Sequence, residues 1–158
     1  MSQAIRLRPA TDSDQPFLLA LLASTRPELS LLDGVTRSML LRMQYDAQLM
    51  HYRSQYPQME ASIVLADGQA AGRTCVARGP QEIRLLDISL LPEYRSRQIG
   101  RQLLAQLQGE AQQAGLPLRL HVRQDNPAQH LYRRLGFAPR ELAGLYRQME
   151  WHPNLQKE

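Results

Sequence analysis

Apolar and polar positions recur along this chain in an order that predicts strand, helix, helix, three strands, helix, strand, helix and two strands. Residues 5–8 form a short first strand. Thr11-Asp12-Ser13-Asp14 is an N-cap cluster, and Phe17, Leu18, Leu19, Leu21 and Leu22 fill the helix after it. A Pro/Gly-punctuated loop over 25–34 leads to a longer helix, about 35–55. Leu40, Met43, Ala47 and Met50 are the expected buried stripe there. Gln44, Tyr45, Gln48, His51 and Tyr52, with Tyr56 just beyond, either line a pocket or form the solvated face. Strands over 62–66 and 70–78 flank Asp67-Gly68, a tight-hairpin signal. Gly79-Pro80 ends the second of them, and a further strand covers 82–91. A third helix runs from about 100 to 114, with Leu103, Leu104, Leu107 and Ala111 inward and Gly115-Leu116-Pro117 as its exit turn. Residues 118–123 alternate as a half-buried strand does. A strand after Phe137 and one over 146–151 complete a mixed sheet, and 152–158 is expected to fray. Pattern alone gives an α+β class with an antiparallel hairpin.

Composition narrows the class. A chain of 158 residues, 43% hydrophobic, suits one domain over 1–158 with one sizeable core, and no repeat or linker interrupts it. No apolar run approaches the roughly 18 residues a membrane helix needs, and the first residues lack a signal-peptide core. Cys75 is the only cysteine, which excludes an internal disulfide and makes a reducing cytoplasm the expected compartment. Its strand-like setting suits a small core residue better than a nucleophile. The net charge of +4 favours a polyanionic ligand. The arginines are scattered, without a basic tract or interleaved aromatics, so nucleic acid is not an expected partner, and neither is a membrane.

Residues 90–101 carry the sharpest signal: Leu-Leu-Pro-Glu-Tyr-Arg-Ser-Arg-Gln-Ile-Gly-Arg. An apolar run ends at Pro92, a basic loop follows, and an amphipathic segment opens at Gly100. Such a strand–loop–helix unit aims free backbone N–H groups at one point, where the helix dipole adds positive potential. Arg95, Arg97 and Arg101 add formal charge. A phosphate or pyrophosphate is the natural guest; the competing reading is an ordinary turn on a basic protein. Downstream, Asn126 before Pro127 is a good helix start and Gly136 a good stop. Ala128, Leu131, Tyr132 and Leu135 fall at i, i+3, i+4 and i+7 and share one face.

These two segments, in this order, resemble the GNAT superfamily of N-acetyltransferases. Arg95-x-x-Gln98-x-Gly100 is similar to the Arg/Gln-x-x-Gly-x-Gly/Ala loop that holds the pyrophosphate of acetyl-coenzyme A in that family. Ala128, Leu131, Tyr132, Gly136 and Phe137 match the element that closes the family's donor site. The resemblance is strong over about 83–137 and weaker over 5–22. Two positions depart from the pattern. Asp125 stands where the family has asparagine, with Asn126 one residue later. Gln98 stands where it has glycine, whose backbone adopts any φ; Gln98 keeps a usable N–H if its φ is negative, and a positive φ makes the departure matter.

The resemblance implies a GNAT-like acyl-CoA N-acyltransferase fold, a central mixed, mostly antiparallel sheet flanked by about four helices. It implies acetyl-CoA as donor and direct transfer to a primary amine of a small molecule or peptide. A non-catalytic acyl-CoA-binding sensor or interaction module is the alternative. It assigns the pyrophosphate to Arg95, Ser96, Arg97, Gln98, Ile99, Gly100 and Arg101, the thioester and pantetheine to backbone near Leu90, and a pantetheine contact to Asn126, which is equally read as a plain N-cap. Tyr132 is the candidate general acid: a phenol of pKa about 10 can protonate a thiolate whose thiol titrates near 8.5. The competing reading packs Tyr132 on an apolar helix face. Asp87, on the strand before the loop, is the candidate base, directly or through water, with Glu82 and His121 behind it. No Cys/His/carboxylate cluster has metal-ligand spacing, so no metal is expected. A homodimer through a sheet edge stays open.

Overall fold

The computed structural model describes residues 4–154. They contain seven strands and four α-helices, in the order the pattern predicts: β1 (Ile5–Pro9), α1 (Gln15–Ser24), α2 (Gly34–Gln55), β2 (Glu60–Ala66), β3 (Gln69–Arg78), β4 (Ile83–Leu90), α3 (Ile99–Ala114), β5 (Leu118–Arg123), α4 (Ala128–Arg134), β6 (Ala138–Ala143) and β7 (Tyr146–Trp151). The hydrogen-bonded strand order is β1-β2-β3-β4-β5-β7-β6. β4 and β5 run parallel, whereas β1–β2, β5–β7 and β6–β7 are antiparallel, so the sheet is mixed. The described residues form two compact units, one of the residues up to Cys75 with Asp87–Ser96, the other of Val76–Leu86 with the residues from Arg97 on; β3 and β4 each contribute to both.

In the first unit, Asp67 (φ +49°) and Gly68 (φ +83°) make the tight β2–β3 turn that Asp-Gly predicts. Asp33 caps α2, its carboxylate accepting from the Thr36 N–H at 2.9 Å. Leu18 and Leu21 of α1, Tyr45 of α2 and Ile63 of β2 form the core, with Phe17, Leu22, Leu49, Leu65 and Leu91 packed around them. The orientation of α2 corrects the expected stripe. Met43 and Met50 are 63% and 72% exposed, and Ala47 faces out. Leu41 and Tyr45 are buried instead, and Gln44, Gln48, Leu49 and Tyr52 are half-buried. Gln44, Tyr45, Gln48 and Tyr52 therefore turn inward, while His51 and the methionines face out.

In the second unit, α3 buries Ile99, Leu103, Leu104, Leu107 and Ala111, the face its periodicity predicts. Gly115, left-handed at φ +69°, ends that helix. β5 alternates as expected, burying Leu118, Leu120 and Val122. Registered pairing of β4 with β5 covers Ile83–Leu85 against Leu118–Leu120. Of the tail expected to fray, 155–158 lie outside the described residues, while Asn154 is held by the Gln112 side chain through both its backbone N–H and its C=O.

Candidate active site

The basic loop is built by local backbone geometry. Pro92–Tyr94 makes a 3₁₀ turn, Arg95 returns to extended backbone, and both Ser96 and Gln98 are left-handed at φ +62°. Gln98 is the N-cap of α3, and no side chain caps that end, so the N–H groups of the first turn leave the helix without a side-chain acceptor. The buried Ile99 anchors the turn. A Cβ on Gly100 would meet nothing within 4 Å, so the space beside that residue of the first turn is open. Arg97, Gln98 and Arg101 are exposed. Arg95 does more than supply charge: its Nε donates to the Leu90 carbonyl at 3.0 Å and its Nη2 to Ser24 Oγ at 3.4 Å, bracing the end of β4.

The positive φ at Gln98 makes the departure from glycine matter, since a left-handed non-glycine residue costs about 1–2 kcal/mol. Gln98→Gly is expected to recover up to about 1 kcal/mol, part of the gain being offset by a freer unfolded chain. Urea unfolding checks this; a variant less stable than the parent contradicts it.

The neighbouring strand end holds a polar cluster within the first unit. Arg73 of β3 is 5% exposed. Its Nε and Nη2 donate to Asp87 Oδ2 at 3.2 and 2.8 Å, and Nη2 donates also to Gln48 Oε1 of α2 at 2.8 Å. Ser89 Oγ donates to the same Asp87 oxygen at 2.8 Å. Burial pulls the Arg73 pKa down, but the Asp87 carboxylate outweighs it and holds the guanidinium above its ordinary range. Cys75, fully buried nearby on β3, is pushed up to about 12, chiefly by burial, with Arg73 opposing and Asp87 adding to the rise. It is a neutral core thiol, as expected. Next to Arg73, an ideal Cβ on Gly72 would fall 2.1 Å from the Ser89 carbonyl oxygen and 2.8 Å from Leu90 Cδ2. Glycine is what lets β3 approach the Ser89–Leu90 backbone, and the Leu91 N–H donates to the Ala71 carbonyl at 2.8 Å beside it.

The second unit carries the other candidates. Asn126 Oδ1 accepts from the Ala128 N–H at 2.9 Å, so this side chain caps the start of α4. Tyr132 is 7% exposed, its ring centroid 5.7 Å from that of Phe137. His121 sets its ring edge-on to Tyr146, centroids 5.3 Å apart. Glu82 is bound by Arg84 and Arg119, both at 2.9 Å. Burial would raise its pKa, but the two arginines overcome this and hold it below the usual carboxylate range. Glu82 is thus a salt-bridge anchor.

Family comparison bears directly on these two motifs. The sequence model of the acetyltransferase (GNAT) family matches residues 30–137, which takes in the basic loop and α4. The chain belongs to the GNAT acetyltransferase family. Solved structures share its fold. PaiA N-acetyltransferase from Thermoplasma acidophilum, in complex with coenzyme A, superposes with a TM-score of 0.69 at 19% identity, covering 94% of this chain and 99% of that one. An acetyltransferase from Thermus thermophilus gives 0.70 at 20% identity, over 94% and 97%. The histone acetyltransferase HPA2 and related acetyltransferase from Corynebacterium glutamicum gives 0.66 at 19%, over 99% of both chains. No curated protein matches the sequence significantly.

For this GNAT chain, sequence reasoning missed Gly72 and Arg73. A glycine inside a strand pattern signals close backbone approach, and an arginine amid Ala71, Thr74, Cys75 and Val76 signals a paired charge in a core. The carboxylates also set its acid response. Arg8 and the Thr11 N–H hold Asp14 well below the usual range. Burial pulls Glu82 and Glu150 upward, but their partners win: Arg84 and Arg119 lower Glu82, and His152 with Arg119 lowers Glu150. A lowered folded pKa gives stability that is present in full above the unfolded value, roughly pH 4, and lost as pH falls through the folded one. The urea midpoint is expected to hold from about pH 7 to 5 and fall steadily below about pH 4. An unchanged midpoint near pH 3 contradicts this.

Proposed function

We propose that this GNAT protein is an acetyl-CoA-dependent N-acetyltransferase that moves an acetyl group directly to a primary amine of a small molecule or peptide, working as one domain in the cytoplasm. The observation that carries the reading is the 95–101 loop. An uncapped helix end with open space over Gly100 and two exposed arginines suits a pyrophosphate. The Thermoplasma relative with coenzyme A bound supports coenzyme A as carrier.

In this reading, Arg97, Arg101 and the first N–H groups of α3 hold the donor's pyrophosphate, and backbone at Leu90 holds the thioester. Backbone donors aimed at a growing oxyanion contribute about 3 kcal/mol. The amine nitrogen attacks the thioester carbon. The C–N bond forms, the tetrahedral intermediate collapses, and the C–S bond breaks. The amine proton passes to Asp87 or to water, and the Tyr132 hydroxyl protonates the departing thiolate and is recharged from solvent. An Asp87 oxygen already engaged by Arg73 and Ser89 is better suited to orienting an amine than to stripping a lysine-like one. An α-amine, with pKa about 8, needs less help. A free-thiol assay over an amine panel tests the reading: thiol release with at least one amine, and acetylated product by mass, supports it. Donor binding without turnover on any amine contradicts it and favours the non-catalytic alternative.

A further inference from the structure

The Arg73 cluster is an unfinished polar network. A guanidinium carries five N–H donors. Nε and Nη2 are spent on Asp87 Oδ2 and Gln48 Oε1, but among the described residues the Nη1 donors have no partner, although only 6% of the side chain reaches solvent. Asp87 shows the same incompleteness. Its Oδ2 accepts from Arg73 Nε, Arg73 Nη2 and Ser89 Oγ, while Oδ1 accepts from no described residue. Gln48 uses its carbonyl oxygen, and its amide nitrogen donates to no described residue. Buried polar groups are ordinarily satisfied, and a charged donor left unpaired is costly, so this arrangement persists where something else completes it.

The three open functions belong to one ion pair and its neighbour, so they lie a few ångströms apart. They comprise a cationic donor pair, an anionic acceptor and an amide donor. The complementary ligand presents an ammonium or amine to Asp87 Oδ1 and an oxygen acceptor, a few bonds from that nitrogen, to Arg73 Nη1. An amine joined through one carbon to a carbonyl or carboxylate has this layout. The inward turn of Gln48, Tyr45 and Tyr52 on α2 gives such a unit a polar and aromatic wall.

Resting on the N-acetyltransferase reading above, we propose that the acceptor is an α-amino-acyl unit, its amine facing Asp87 and its carbonyl or carboxylate oxygen held by Arg73, which makes Arg73 the residue that sets acceptor specificity. The unit can come from a free amino acid or from a peptide N-terminus.

The test uses the whole protein, acetyl-CoA and matched acceptor sets for several side chains: the free amino acid, its amide, a dipeptide beginning with it, and the decarboxylated amine. A charge-assisted hydrogen bond to the oxygen should give an α-amino-acyl member at least about tenfold higher kcat/KM than the decarboxylated amine. The free-acid and dipeptide arms then tell the two sources apart. Arg73→Lys keeps a charge beside Asp87 but loses the fork, so the tenfold ratio should fall towards one; a purely structural role would slow every acceptor together and leave the ratio standing. Equal rates with the decarboxylated amines, or an unchanged ratio in a folded Arg73→Lys protein, overturns the proposal. Should that variant not fold, the comparison among wild-type acceptors decides alone. Amine turnover without the preference overturns this inference and spares the acetyltransferase reading, whereas failure to bind acetyl-CoA at all overturns both.

Discussion

Gly72→Ala should destabilise the protein by at least about 3 kcal/mol, the upper end of what overpacking costs. The new Cβ would sit 2.1 Å from a backbone oxygen, that of Ser89, and 3.1 Å from Leu90 Cα. Backbone cannot yield as a flexible side-chain end does, so β3 and the Ser89–Leu90 segment must part. In a chain of this size that corresponds to a drop of roughly 6–12 °C in Tm. The same segment carries the Leu90 backbone assigned to the thioester and lies beside Asp87, so turnover should fall with stability. Gly100→Ala is the matched control, because a Cβ there meets nothing within 4 Å and the fold should survive it. A Gly72→Ala protein that melts within a degree or two of the parent would show that the close approach is relieved at no cost.

Tyr132→Phe should leave the fold and the affinity for acetyl-CoA intact while lowering kcat by about 10² or more, the usual worth of a positioned general acid. Phenylalanine fills the same volume beside Phe137, so packing on that face of α4 is kept. The loss then isolates the hydroxyl. Acyl donors with a better thiolate leaving group should suffer less, since they need the proton less. An unchanged kcat removes Tyr132 from the chemistry and leaves it as a packed aromatic residue of α4.

Most of the architecture was legible because periodicity and punctuation agree. Asp67-Gly68, the α3 stripe and the Gly115 stop each combine a local backbone preference with the burial that follows from it. The second helix was misread for a physical reason. Leu40, Met43, Ala47 and Met50 have helical spacing, yet the inward face carries buried Leu41 and Tyr45 with half-buried Gln44 and Gln48, because β3 presents a buried arginine and the helix offers it an acceptor, Gln48 Oε1. Hydrophobic pattern fails where a helix covers polar groups, so this mismatch points at the Arg73–Asp87–Gln48 cluster. The 95–101 loop was legible as a motif, but the left-handed conformation of Gln98 was not, since a glutamine carries no signal for it. Asp87 was singled out by its strand, and its partner Arg73 was missed because β3 pairs it through tertiary structure rather than local spacing.

On the proposed reading, the 95–101 loop binds acetyl-coenzyme A despite Gln98. Isothermal titration of the purified protein with acetyl-CoA tests it most directly, with the Gly100→Glu variant in parallel. Saturable binding with a Kd in the micromolar range is expected, lost when a carboxylate at position 100 fills the open space and repels the pyrophosphate. No heat and no thermal stabilisation at millimolar acetyl-CoA, or equal binding by the variant, would contradict it.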